Sequence, residues 1–231
     1  MKNTTIALAA LVAAVSASAA EGQSNPLTIS LDTAYVSTYV FRGLETAGAS
    51  IQPSLEANYR NFYAGVWYSD DLAGRIASET DLYAGYNFAL TEVFSADVGL
   101  TRYLYERQNG DSTEAFVGLK ANVLLSPSLY SYYDLDNEST TYIASIGQSV
   151  PIAKLGIQVD FSALVGCVQR TNGLTDYTYW GVGAAIPYQL SESVKLTGAV
   201  NYTNVGDSNP SGGISSEQDQ IVYSLGISVG F

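Results

Sequence analysis

The sequence predicts an all-β chain, a transmembrane antiparallel up-and-down β-barrel of about twelve strands. Three observations predict it. Polar and apolar residues alternate with period two through most of 27–231, the period of a strand whose faces meet different surroundings. Many runs reach about 10–13 residues, which suits a tilted membrane strand, whereas soluble strands average about 5–6. Connections also alternate in length. Short ones fall at 60–61, 90–93, 126–127, 151–154 and 189–193, and longer polar ones at 43–50, 69–78, 106–112, 169–176 and 204–218. Outer-membrane barrels show this asymmetry; the short turn at 136–138 is the exception on the long side.

The elements follow in order. Leu27, Ile29, Leu31, Tyr35, Tyr39 and Phe41 share one face of the first run, against Thr28, Ser30, Asp32, Thr38 and Arg42. Ile51, Pro53, Leu55, Ala57 and Tyr59 oppose Gln52, Ser54, Glu56, Asn58 and Arg60. The run 62–69 is short and ambiguous in phase. Leu82, Ala84, Tyr86 and Phe88 then oppose Glu79, Asp81, Tyr83 and Asn87, and Phe94, Val98 and Leu100 oppose Ser95, Asp97 and Gly99. Ala115, Val117, Leu119, Ala121 and Val123 oppose Glu114, Phe116, Gly118 and Lys120. The runs 129–136 and 140–150 are weaker and rich in Tyr and Ser. Leu155, Ile157, Val159, Phe161 and Val165 oppose Gln158, Asp160, Ser162 and Gly166. Trp180, Val182, Ile186 and Tyr188 oppose Gly181 and Gly183, and Val194, Leu196, Val200 and Tyr202 oppose Lys195, Thr197 and Asn201. The last strand sets Ile221, Tyr223, Leu225, Ile227, Val229 and Phe231 against Gln220, Ser224, Gly226 and Ser228.

A soluble sandwich alternates too, but here the polar face carries Gln, Asn, Asp, Glu and Lys on strand after strand, as a wet lumen requires. The terminal aromatic Phe231, in phase with Tyr223 on an alternating strand, is the expected C-terminal signal for the barrel-assembly machinery. Tyr35, Tyr59, Tyr86, Tyr188, Tyr202 and Tyr223 are candidates for interfacial girdles.

Residues 1–20 combine Lys2, an apolar run from Ile6 to Val15 and the small residues of 16–20. This is the form of a secretory signal peptide, leaving 21–231 as one barrel domain. Cleavage at Ala19 or Ala20 fits, and no Cys lies there for a lipid anchor.

Composition narrows the chemistry. The chain has 18 Tyr, 21 Gly, one Cys and no His, with formal net charge −12. Without His there is no Ser-His-Asp catalysis and no His-ligated metal, so an enzyme is not expected. The acidity repels nucleic acid. Cys167 falls in phase with the apolar face and reads as a small lipid-facing residue. The carboxylate pairs Asp70-Asp71 and Asp134/Asp136 lack the spacing of a calcium loop and read as solvated charge. Gly181-Val182-Gly183 lies within a strand, with no phosphate-binding turn after it.

The runs at 36–45 (VSTYVFRGLE), 62–70 (FYAGVWYSD), 81–87 (DLYAGYN), 97–105 (DVGLTRYLY) and 129–137 (LYSYYDLDN) together resemble the TorF-type porin family of Gram-negative bacteria. The resemblance covers about half of the mature chain well. It implies an outer-membrane location and a barrel architecture more than any solute. After Arg42-Gly43 the family often has a Ser/Thr/Gln-rich stretch, and here 44–50 departs from it.

The function expected is passive diffusion of small polar solutes or ions through an outer-membrane channel; the alternative is a closed barrel with a structural or surface-recognition role. Charges in lumen phase are Asp32, Glu56, Glu79, Asp81, Asp97, Glu114 and Asp160, against Arg42, Arg60, Lys120 and Lys195. Seven acids facing four bases predict weak cation preference. No cofactor or metal is expected. The expected partners are outer-membrane lipid, the assembly machinery, and small polar solutes or cations. Small inward residues (Gly99, Gly118, Gly166) favour an open lumen and inward aromatics (Tyr83, Tyr103, Phe116) oppose it.

Overall fold

The computed structural model describes residues 27–106, 110–171, 175–206, 213–214 and 218–231. The expected leader lies outside them, as do parts of the predicted loops 106–112, 169–176 and 204–218. The strands are β1 (Leu27–Val36), β2 (Tyr39–Phe41), β3 (Leu44–Ala47), β4 (Ser50–Tyr59), β5 (Phe62–Asp71), β6 (Glu79–Ala89), β7 (Phe94–Tyr105), β8 (Ser112–Ala121), β9 (Ser128–Asp134), β10 (Ser139–Ile152), β11 (Ile157–Gln169), β12 (Tyr177–Gln189), β13 (Val194–Val205) and β14 (Asp219–Gly230). Twelve of them close a barrel of antiparallel neighbours, and β2 and β3 form a separate hairpin. Closure falls on β1, where Asp32 stands opposite Ser54 of β4 and Ser228 of β14. Ile29 and Phe231 seal the seam, the Phe231 amide donating to Ile29 at 2.9 Å and the Ile29 amide to Phe231 at 3.2 Å. Such closure leaves no strand edge with unpaired backbone groups, the condition for crossing lipid.

The outer wall is apolar. Leu31, Leu55, Leu100, Val165, Ile221 and Leu225 are exposed there, while the residues between them are covered or partly covered. Leaving so many large aliphatic side chains exposed is costly in water and favourable in a bilayer. Tyr35, Tyr59, Tyr188 and Tyr223 also stand on this face. Tyr86 packs on Phe62 with ring centroids 4.5 Å apart, and Tyr202 packs on Trp180 at 5.3 Å. Cys167 alternates with the buried Gly166 and Val168, which puts it on the same outer face.

Four boundaries differ from the periodicity. β5 runs on to Asp71, so Asp70 and Asp71 end a strand instead of lying in a loop. Asp70 points out and Asp71 in, where Asp71 accepts the amide of Arg75 at 2.8 Å. β8 stops at Ala121, and 122–127 forms a longer link because Leu125 (φ 67) and Ser126 (φ 37) turn left-handed. Leu155 lies in the turn before β11, where Gly156 has φ 63. The fourth difference is the largest. The first alternating run breaks after Val36, and Tyr39 and Phe41 turn inward instead of facing lipid.

Candidate functional site

The interior is lined by aromatic residues set directly opposite glycines. Register pairs Tyr83 with Gly65, Tyr63 with Gly85, Phe116 with Gly99, Tyr130 with Gly118, and Tyr179 with Gly166. In each pair a Cβ on the glycine would strike the partner's ring. The rings therefore lie flat along the wall, over the backbone the glycines leave bare, instead of standing across the lumen. Such cross-strand cover of glycine by an aromatic also stabilises the strand pair.

The hydroxyls of three of these rings hold two of the inward carboxylates. Asp97, fully buried, accepts from Tyr63 at 2.9 Å and Tyr130 at 2.8 Å, with the Lys120 ammonium 3.6 Å away. Glu56 accepts from Tyr83 at 3.0 Å and from Asn58 at 2.9 Å. Asp160 accepts from Gln158 at 2.6 Å. Glu79 lies against Tyr39 and Tyr105, and Asp81 is buried with Oδ1 unpartnered. Asp32 and Lys195, both partly exposed, face Ser228 from either side near the short-turn end. Among the described residues no three His, Cys, Asp or Glu side chains are arranged to hold a metal ion.

The β2–β3 hairpin enters from the long-loop end and crosses the interior. Its two-residue turn is Arg42 (φ 50) and Gly43 (φ 85), the dihedral signature of a tight hairpin turn that normally takes Asn, Asp or Gly first. Tyr39 packs on Trp67 of β5, Phe41 edges onto Tyr103 of β7, and Arg42 reaches Glu114 of β8. On the far side Leu44 packs against Val168, Tyr177, Tyr179 and Val205. Gly43 lies so near β12 that a Cβ there would come within 2.7 Å of the Tyr179 Cβ. The Glu45 carbonyl accepts from the Ile214 amide at 2.8 Å, and Gln220 donates to its carboxylate at 3.4 Å. The hairpin thus touches walls on opposite sides of the barrel and narrows it.

Of the charges in lumen phase, the structure joins Arg42 with Glu114 and Lys120 with Asp97. Arg60 is a correction. It sits in the turn after β4 with φ 56, exposed, its guanidinium 5.4 Å over the outward Tyr59 ring, because the chain reverses there and the strand phase no longer applies. Asp71, Glu45 and Tyr132 are interior groups the alternation did not single out, whereas Tyr179 lies on the inward face that the alternation gave its strand. The first two fall in predicted loops, and Tyr132 lacks charge as a signal.

A closed twelve-stranded barrel with a lipid-compatible outside and a charged inside defines a transmembrane β-barrel of the outer-membrane type. The chain belongs to the family described as "Bacterial protein of unknown function (Gcw_chp)", whose model matches residues 19–222. Among solved structures it is similar to a KdgM porin, with TM-score 0.62 and 15% identity over 87% of this chain and 99% of that one. A KdgM porin in complex with disordered oligogalacturonate gives 0.58 and 14% over 88% and 99%. A NanC porin gives 0.58 and 10% over 87% and 98%. At these identities the likeness is one of fold. Comparison with curated protein sequences finds no match.

Proposed function

We propose that the protein is a non-enzymatic diffusion channel of the outer membrane, passing small polar solutes or ions with a weak preference for cations. The observation that carries this reading is the charge of the interior. With Arg60 outside, the seven acids in lumen phase face Arg42, Lys120 and Lys195. The ion pairs of Arg42 and Lys120 leave Asp32, Glu56, Glu79, Asp81 and Asp160 with no cation within ion-pair distance among the described residues. Low-dielectric walls focus such a field and concentrate cations over anions. Oligogalacturonate, present with one KdgM porin, is a carboxylated sugar, and this interior would repel it.

The hairpin favours a second reading, a barrel closed at rest. Solute uptake separates the two. Liposomes bearing the purified protein should swell faster in an isotonic neutral sugar or amine salt than in an isotonic dicarboxylate. Equal rates for all three would remove the cation preference, and no swelling at all would remove the channel. Assembly is read from the outer face: Phe231 and Tyr223, both highly exposed on the outside of β14's end and middle, are the groups we propose the assembly machinery contacts.

A further inference from the structure

Arg42 is held in the manner of a bound ligand. Its Nη2 donates to Glu114 Oε1 at 2.8 Å and Oε2 at 2.7 Å. Its Cζ lies 5.1 Å from the Tyr132 ring centroid, within cation–π range. Tyr103 donates to the same carboxylate at 3.1 Å. Glu114, Tyr103 and Tyr132 are each at most 4% exposed. A carboxylate and an aromatic face around a flat cation make a guanidinium site.

Three features show that the occupant is not fitted for permanence. Arg42 Nε is buried without a partner, so the guanidinium is only partly satisfied. Its backbone is left-handed, at φ 50, a conformation that strains a residue bearing a side chain. The wall around it carries more acid than one arginine offsets: Asp81, with its unpartnered Oδ1, stands directly opposite Tyr103 in the ladder, and Glu79 lies two residues along the same strand.

We infer that Glu114, Tyr103 and Tyr132 form a binding site for a small solute bearing a guanidinium group, and that Arg42 fills this site as a tethered stand-in when the hairpin is folded inward. A tethered group competes at an effective concentration on the order of millimolar, so free solute at that level displaces it. Displacement removes the only ion pair between the hairpin and the wall among the described residues, and the hairpin can then leave the lumen. The binding part of this inference stands on the pocket alone; the opening part rests on the channel reading above.

The probe is agmatine, with 1,4-diaminobutane as a control of equal charge that carries an ammonium in place of the guanidinium. Calorimetry on the purified full barrel with Arg42→Ala should show agmatine binding, and agmatine should raise the variant's unfolding temperature. Arg42→Ala combined with Glu114→Gln should bind it roughly tenfold more weakly or worse, and 1,4-diaminobutane should bind Arg42→Ala less tightly than agmatine does. Wild type should bind more weakly than Arg42→Ala, since Arg42 competes. If Arg42→Ala does not fold, as judged by its unheated gel mobility, Arg42→Lys serves, because it keeps the charge but loses the flat guanidinium. A folded variant that binds no agmatine, or binds it equally with and without Glu114, overturns the site. Flux without agmatine binding would overturn the site and leave the channel. Agmatine binding with no ion flux, even when residues 39–47 are replaced by a short Gly-Ser linker, would leave the site and overturn the channel and its opening.

Discussion

At Gly118 the choice of residue decides where a ring goes. Tyr130 lies across its backbone and reaches Asp97 at 2.8 Å, so a single methyl at position 118 forces the ring off the wall and strains that hydrogen bond. Gly118→Ala should therefore destabilise the folded barrel by about 1–3 kcal/mol, the usual cost of overpacking. Gly198 is the control: nothing lies within 4 Å of a Cβ there. Gly198→Ala should be neutral or stabilise by up to about 1 kcal/mol, since alanine loses less backbone freedom on folding. Urea unfolding of both variants in lipid vesicles checks the pair, and equal effects would mean that the rings do not rest on the glycines. Asp97 makes a second test at this scale. Asp97→Ala strands two tyrosine hydroxyls and Lys120 in the interior and should cost about 3–5 kcal/mol by the same measurement. A loss below about 1 kcal/mol, the size of one exposed pair, would show that the cluster is solvated.

The hairpin is the element on which the site depends, and its turn is its weakest point. Gly43 combines φ 85 with close approach to Tyr179, so Gly43→Ala meets both backbone strain and a clash. The docked fraction should fall, and trypsin should then cut after Arg42, which is 10% exposed in the wild type. Wild-type protein should resist under the same conditions; cleavage of wild type and variant at one rate would show that the hairpin is not held inside. This element was the part of the fold least legible in the sequence, for a physical reason. Tyr39 and Phe41 continue the phase of Leu27 to Tyr35, and a period of two says which residues share a face but not which strand they pair with. The Arg-Gly pair at 42–43 was the available signal, weaker than Asn-Gly because arginine rarely takes the first left-handed position. The run 62–69 read as ambiguous because Tyr63 and Trp67 face in while Phe62 and Val66 face out, so both faces carry bulky apolar groups. The pairing of each ring with one glycine was likewise hidden, since register is set by turn lengths and not by composition.

Over the whole molecule the sequence was far more informative, because a barrel repeats one rule twelve times. Lipid outside and polar groups inside favour alternation on every strand, and most of the twelve barrel strands coincide with a clear alternating run, β5 being ambiguous in phase and β9 and β10 weaker. The rule predicts an asymmetry between adjacent positions of β14. Leu225 is 61% exposed on the outer wall, whereas Ser224 is partly covered on the inner one. Leu225→Arg should cost about 2–4 kcal/mol in lipid vesicles, the depth-dependent penalty of a charge near mid-bilayer, and Ser224→Arg far less. The interior charge is the other property of the whole molecule, and it is the claim on which the channel account rests. It is measured most directly by the reversal potential across a planar bilayer under a potassium chloride gradient, for wild type and for Asp32→Asn with Asp160→Asn. The account predicts cation preference at about 0.1 M salt, where screening extends about 10 Å, fading toward 1 M, where it extends about 3 Å, and a smaller preference in the double variant. Anion preference at low salt, or a potential that the two substitutions leave unchanged, would contradict it.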